Sequence, residues 1–119
     1  MDRRRLGVAG EAAVARHYRE AGYVVLDRNW RCRDGELDLV LAIGGTVVFC
    51  EVKTRSSSAF GAPFEAVTFT KQRRLRTLAL LWLADHPEHR AGSLRFDVAS
   101  VLTSSGVEAP VIQVIEHAF

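Results

Sequence analysis

Two apolar runs flanking Gly44-Gly45 constrain this chain more than any other feature. Gly35-Glu36-Leu37-Asp38-Leu39-Val40-Leu41 precedes the glycines, and Val47-Val48-Phe49-Cys50-Glu51-Val52-Lys53 follows them. Both runs have strand length and are rich in branched and apolar residues, and paired glycines between such runs mark a tight hairpin turn. With Gly44 and Gly45 at the centre of the turn, Ile43 faces Thr46, Asp38 faces Glu51 and Glu36 faces Lys53. Alternate residues share a face, so these acids and the lysine lie on one side with Val40, Val47 and Phe49. Leu37, Leu39, Leu41, Val48, Cys50 and Val52 lie on the other. Both faces are apolar, as expected of central strands covered on two sides. Like charges directly opposite one another destabilise a strand pair, so Asp38 facing Glu51 calls for a cation or a proton between them. A Glu36–Lys53 pair, taken alone, is an ordinary cross-strand ion pair.

The rest of the chain divides readily around this hairpin. Residues 3–21 read as an alanine-rich helix stopped by Gly22, and Tyr23 to Trp30 as a first strand. The hairpin strands span roughly 35–43 and 46–54. Residues 56–63, small and polar with Gly61 and Pro63, read as a loop. A second helix begins near Thr68 or Thr70, either of which can cap it, and must stop before Pro87. Leu94 to Leu102 and Val111 to His117 read as two further strands joined through Gly106. The expected fold is a single α/β domain over residues 1–119, a mixed central sheet flanked by helices in the order α-β-β-β-α-β-β.

The first helix carries an anomaly. At 100° per residue, Glu11 points the same way as Gly7, Val8, Val14, Ala15 and Tyr18, in the middle of the apolar stripe. A carboxylate on a buried face is costly unless paired. A salt bridge would satisfy it; so would a place beside the Asp38/Glu51 pair.

Asp38, Glu51 and Lys53 together suit metal-assisted phosphodiester hydrolysis. Mg²⁺ takes hard oxygen ligands, commonly one or two carboxylates with waters and phosphate oxygens. The bound ion acidifies water and offsets charge on a phosphodiester. Lys53, two residues after Glu51 on the same face, is placed to position the attacking water or stabilise the transition state.

Composition narrows the setting. The 119 residues are 48% apolar and 25% charged, ordinary for a globular domain. No apolar run approaches the roughly 18 residues of a membrane span, and the N-terminus lacks the features of a secretory signal. Cys32 and Cys50 lack metal-ligand spacing and read as reduced thiols, which favours a cytoplasmic location without membrane association. Net charge is only +2, but basic residues cluster at Arg3-Arg4-Arg5, at Arg28, Arg31 and Arg33, and at Lys71, Arg73, Arg74 and Arg76. Such clusters can follow a phosphate backbone or can simply solvate a surface.

These residues also carry a resemblance. Asp38 followed after a twelve-residue gap by Glu51-Val52-Lys53 resembles the PD-(D/E)XK nuclease signature, with Leu37 where a proline usually stands. The segments Gly10-Glu11-Ala12-Ala13, Asn29-Trp30-Arg31, Gly35-Glu36-Leu37-Asp38-Leu39, Phe49-Cys50-Glu51-Val52-Lys53-Thr54-Arg55, Lys71-Gln72-Arg73-Arg74 and Arg95-Phe96-Asp97-Val98 look like the YraN-type family of small uncharacterised bacterial proteins, which is similar to archaeal Holliday-junction resolvases. The resemblance implies a restriction-endonuclease-like core. It assigns Asp38 and Glu51 to Mg²⁺ or Mn²⁺, with Glu11 in support, and Lys53 to catalysis. It also places Gln72 or Lys71 near the site; Glu36 is a further supporting candidate.

The leading expectation is therefore a metal-dependent DNA endonuclease acting in recombination or repair, selective for DNA structure, with Arg31, Arg55, Arg73 and Arg74 on phosphates. The alternative is a non-catalytic nucleic-acid-binding or partner-docking module that retains the nuclease fold. A branched substrate with two equivalent strands would suit a homodimer, for which Phe60, Phe64, Phe69 and Trp82 are apolar candidates as well as core candidates.

Overall fold

The computed structural model describes residues 3–55, 67–90, 92–103 and 110–119. Along them run α1 (Arg3–Glu20), β1 (Val24–Cys32), β2 (Gly35–Ile43), β3 (Thr46–Arg55), α2 (Phe69–Asp85), a 3-10 turn at Pro87–His89, β4 (Ser93–Leu102) and β5 (Val111–Ile115). This is the expected order. The expected loop over 56–63 and the junction through Gly106 lie outside the described residues, as do Phe60 and Phe64.

The helix ends follow local chemistry. Gly22, at φ +94°, closes α1: its N–H donates to the Arg19 carbonyl and that of Tyr23 to the Tyr18 carbonyl. This is the bonding of a Schellman cap, and the Tyr23 ring completes it by packing edge-on against Tyr18 at 4.9 Å. At the start of α2 the Thr68 hydroxyl accepts the Lys71 N–H at 3.2 Å, so Thr68 is the N-cap.

The five strands form one sheet in the order β1-β2-β3-β4-β5. Every neighbouring pair is antiparallel except β3 and β4. A parallel step needs a long crossover, and α2 lies within it. One helix covers each face. Val14, Ala15 and Tyr18 of α1 pack on Leu39, Leu41, Val48, Cys50, Ala99 and Val101. On the other face Leu75, Leu78, Ala79, Trp82 and Leu83 of α2 pack on Leu37, Val40, Val47, Phe49, Phe96 and Val98. Trp82 is thus a core residue, whereas Phe69 is 72% exposed. Val8, expected in the apolar stripe of α1, is 56% exposed instead. Among the described residues no helix is long and apolar enough to cross a membrane.

From Ile43–Thr46 to Leu39–Cys50, β2 and β3 pair in the register implied by Gly44-Gly45, and Gly44 adopts φ +55° in the turn. Beyond Leu39–Cys50 the expected Asp38–Glu51 and Glu36–Lys53 pairs are not part of the ladder, because the strands part there. The β1–β2 pairing is also interrupted at this level. It passes from Arg28–Leu39 to Trp30–Leu37 around Asn29, whose φ is +53°. Side-chain alternation shifts across the same point: Leu37 joins the α2 cluster, not the α1 cluster that holds Leu39 and Leu41.

Candidate functional site

The fork between β2 and β3 is where the singled-out acids meet. Asp38 stands in it, and its Oδ2 accepts the Val52 N–H at 2.8 Å. The carboxylate thereby satisfies a backbone donor that a continuing ladder would have used. Above the fork, α1 lies close on β3 because residue 10 is glycine; a Cβ at Gly10 would run into the Thr54 side chain. This approach delivers the next residue, Glu11, to the fork, where it hydrogen-bonds Asn29. One carboxylate oxygen from each of Glu11, Glu36 and Asp38 falls within 4.8 Å of the others.

Basic groups gather beside these acids. Lys53 Nζ lies 3.3 Å from Glu51 Oε1, with the two side chains 24% and 17% exposed. Lys71, in the first turn of α2, approaches Lys53. A cavity of about 140 Å³ opens here, lined by Gly35, Glu36, Glu51, Lys71, Arg74, Leu75 and Leu78.

The electrostatics follow from crowding acids at a half-buried fork. Burial, then the Glu51 charge, pushes Asp38 up to about 7 against the opposing Val52 hydrogen bond, and Glu11 and Glu36 add to the rise. Glu11 is likewise raised by burial, partly offset by its bond to Asn29. Burial works against the charge of Lys53, but the neighbouring Glu51 and Asp38 carboxylates hold it above its ordinary value. Lys71 is held below its ordinary value, first by the contact with Lys53 and then by burial.

The donor set fits a small hard cation. An octahedral Mg²⁺ with oxygens at about 2.0–2.1 Å spaces its ligands roughly 3–4 Å apart, a separation of the same order as the 4.8 Å that encloses the Glu11, Glu36 and Asp38 oxygens. The tight acidic group therefore contains Glu36, where the hairpin register had pointed to Glu51. Glu51 stays close enough to raise Asp38 but is paired with Lys53.

The remaining expected residues are spread around this group. Glu36 pairs with Arg31 at 2.9 Å, not with Lys53, because the two strands have already diverged. Gln72 donates to the Val67 carbonyl at 3.2 Å, while Lys71 and Arg74 line the cavity. Arg31 has a 76% exposed side chain and Arg73 is exposed on α2; Arg55 ends β3 opposite Leu102. The hairpin reading did not single out Asn29 or the contact of Gly10 with Thr54. An asparagine inside a strand-like run was the available signal, being poor in strands yet tolerant of positive φ.

Comparison with known proteins places this arrangement in a family. The model of "Uncharacterised protein family UPF0102" matches residues 10–101, a span that takes in every acid and lysine at the fork. The chain belongs to the UPF0102 family. It is 55% identical over 112 residues to a UPF0102 protein of Frankia alni, covering 94% of this chain and 89% of that one. A UPF0102 protein of Nocardia farcinica is 50% identical over 118 residues, covering 99% of this chain and 91% of the relative. One from Rhodococcus jostii is 48% identical over 114 residues, with coverages of 96% and 95%. The fork is thus a feature of a UPF0102 chain matched over nearly its full length.

Proposed function

We propose that this UPF0102 protein is a metal-dependent DNA endonuclease of the PD-(D/E)XK type, with branched DNA as its substrate. The observation that carries this reading is the convergence of Glu11, Glu36, Asp38, Glu51, Lys53 and Lys71 on one strand fork. Crowding that raises Asp38 to about 7 is a cost that folding alone gives no reason to accept, and such conflicts concentrate at functional sites. Arg31 answers Glu36 at 2.9 Å, yet three carboxylates still approach one another within 4.8 Å.

In this reading Asp38, Glu11 and Glu36 would hold a Mg²⁺ or Mn²⁺ ion, with Glu51 nearby. The ion, when bound, supplies Lewis-acid activation of water and neutralisation of phosphate charge. Val52 fixes the Asp38 carboxylate through its N–H, which orients this would-be ligand. Lys53 offers an ammonium beside the acids, placed to orient water or to stabilise charge on the phosphate. Ion binding requires the Asp38 carboxylate, so affinity for the ion rises with pH through about 7.

Labelled four-way junctions, flaps, single strands and duplexes incubated with Mg²⁺ or Mn²⁺ test the proposal. Wild-type protein should cut, and Glu11→Gln, Asp38→Asn, Glu51→Gln and Lys53→Ala should each lower the rate at least about 100-fold, as loss of a transition-state contact does. Equal cutting by wild type and all four variants would betray a contaminating nuclease. DNA binding without cleavage in either metal would favour the non-catalytic binding module. A two-fold dimer would suit a substrate with two equivalent strands, and sedimentation of the protein on a junction measures it.

A further inference from the structure

Lys53 and Lys71 come from different elements, the latter half of β3 and the first turn of α2, yet their side chains come together beside Glu51. Two like charges at about 4 Å repel by roughly 1 kcal/mol in bulk water, and by more where water is partly excluded. Arg74, three residues along α2 from Lys71, faces the same cavity and adds a third positive group. Glu51, 3.3 Å from Lys53, answers one of these charges. Gln72, between Lys71 and Arg74 in sequence, is instead turned back to Val67.

An anion placed against Lys71 and Arg74, which both line the cavity, would offset the repulsion among these cations through charge-assisted hydrogen bonds, the strong kind. Lys53 and Lys71 carry three donors each and Arg74 five. Glu36 and Glu51 line the same cavity of about 140 Å³, so the side formed by Lys71 and Arg74 is the part suited to a phosphate, and the volume suits one phosphodiester group more than a base pair. We propose that Lys71, with Arg74 one turn along, holds a backbone phosphate of the DNA strand beside the acidic group, making the first turn of α2 a phosphate-binding arm. This inference rests on the nuclease reading and assigns Lys71 to binding, apart from the chemistry.

Removing the side chain of Lys71 leaves the helix start intact, because the Thr68 cap accepts the backbone N–H. The test is binding of a fluorescein-labelled four-way junction in EDTA, measured by anisotropy across a series of salt concentrations. Lys71→Ala should weaken binding about tenfold, as expected for one hydrogen bond to a charged group, and lower the salt slope by about one. Lys71→Arg should restore both. If wild type binds and Lys71→Ala shows the same affinity and slope, this inference falls while the nuclease reading stands. If wild type binds no DNA with or without Mg²⁺, both fall.

Discussion

At the scale of a single residue, Asp38 concentrates the conflict between stability and function. Its folded value near 7 lies above the ordinary 3.8, so between these limits the folded protein holds more protons than the unfolded chain. Stability of the metal-free protein must then fall as pH rises from about 4 to about 7. Divalent ion at pH 8 should recover it by mass action. Asp38→Asn keeps an acceptor for the Val52 N–H but removes the charge. At pH 8 without metal this variant should melt a few degrees higher, on the order expected for about 1 kcal/mol, and lose most of the pH dependence in that window. Thermal melts of both proteins at pH 5 and pH 8, with and without Mg²⁺, check this; an Asp38→Asn variant less stable than wild type at pH 8 would contradict it. Asp38 was legible in the sequence as an acid with no good structural reason to sit in a central strand. Its hydrogen bond to Val52 was not, because that bond exists only where the strands part.

At the scale of an element, the seat of α1 on the sheet determines whether Glu11 reaches the fork. Gly10 allows the close approach, and the Thr54 hydroxyl facing it is buried with no hydrogen-bond partner. Gly10→Ala should therefore cost about 1–3 kcal/mol through overpacking, despite the better helix propensity of alanine. Thr54→Ala removes both the obstructing hydroxyl and a buried unsatisfied group. In urea titrations the double variant should be more stable than the sum of the single changes predicts; strict additivity would mean that the two residues do not press on each other. The apolar stripe of α1 already pointed Glu11 toward the sheet, and Val14, Ala15 and Tyr18 are buried as that stripe requires. Val8 breaks the pattern one turn earlier: a helical wheel gives direction around an axis but does not say where along it the sheet ends.

At the scale of the whole molecule, Asp97 ties distant parts of the chain together. It is 1% exposed and accepts from Tyr18 Oη at 2.7 Å, from Arg95 Nε and Nη2 at 2.9 Å each, and from the His117 N–H at 3.2 Å. Arg95 also donates to Tyr23 Oη at 2.7 Å, so α1, the approach to β1, β4 and the C-terminal turn share one network. Contact with Asp97, working against burial, and the bond to Tyr23 hold the Arg95 guanidinium above its already high ordinary value. Asp97→Ala strands a largely buried guanidinium and should cost about 3–5 kcal/mol, whereas Tyr18→Phe should cost only about 1 kcal/mol. Urea midpoints at a common slope measure both; an Asp97→Ala protein as stable as Tyr18→Phe would show that Arg95 finds relief elsewhere, with Glu116 at 3.4 Å the nearest acid.

By itself the sequence determined what near neighbours control: the order of elements, the hairpin register around Gly44-Gly45, the stop at Gly22, a threonine cap at residue 68 or 70, and the inward aim of Glu11. Turn chemistry, capping and periodicity act over a few residues, so they can be read one segment at a time. Only the tertiary structure decided that β2 and β3 part at Asp38, that Glu36 stands in the tight acidic group while Glu51 pairs with Lys53, and that Lys71 faces the cavity while Gln72 does not. It also joined Tyr18 to Asp97 across 79 positions. These outcomes depend on where twisted strands diverge and how helices seat on them, which is set by packing between residues far apart in the chain.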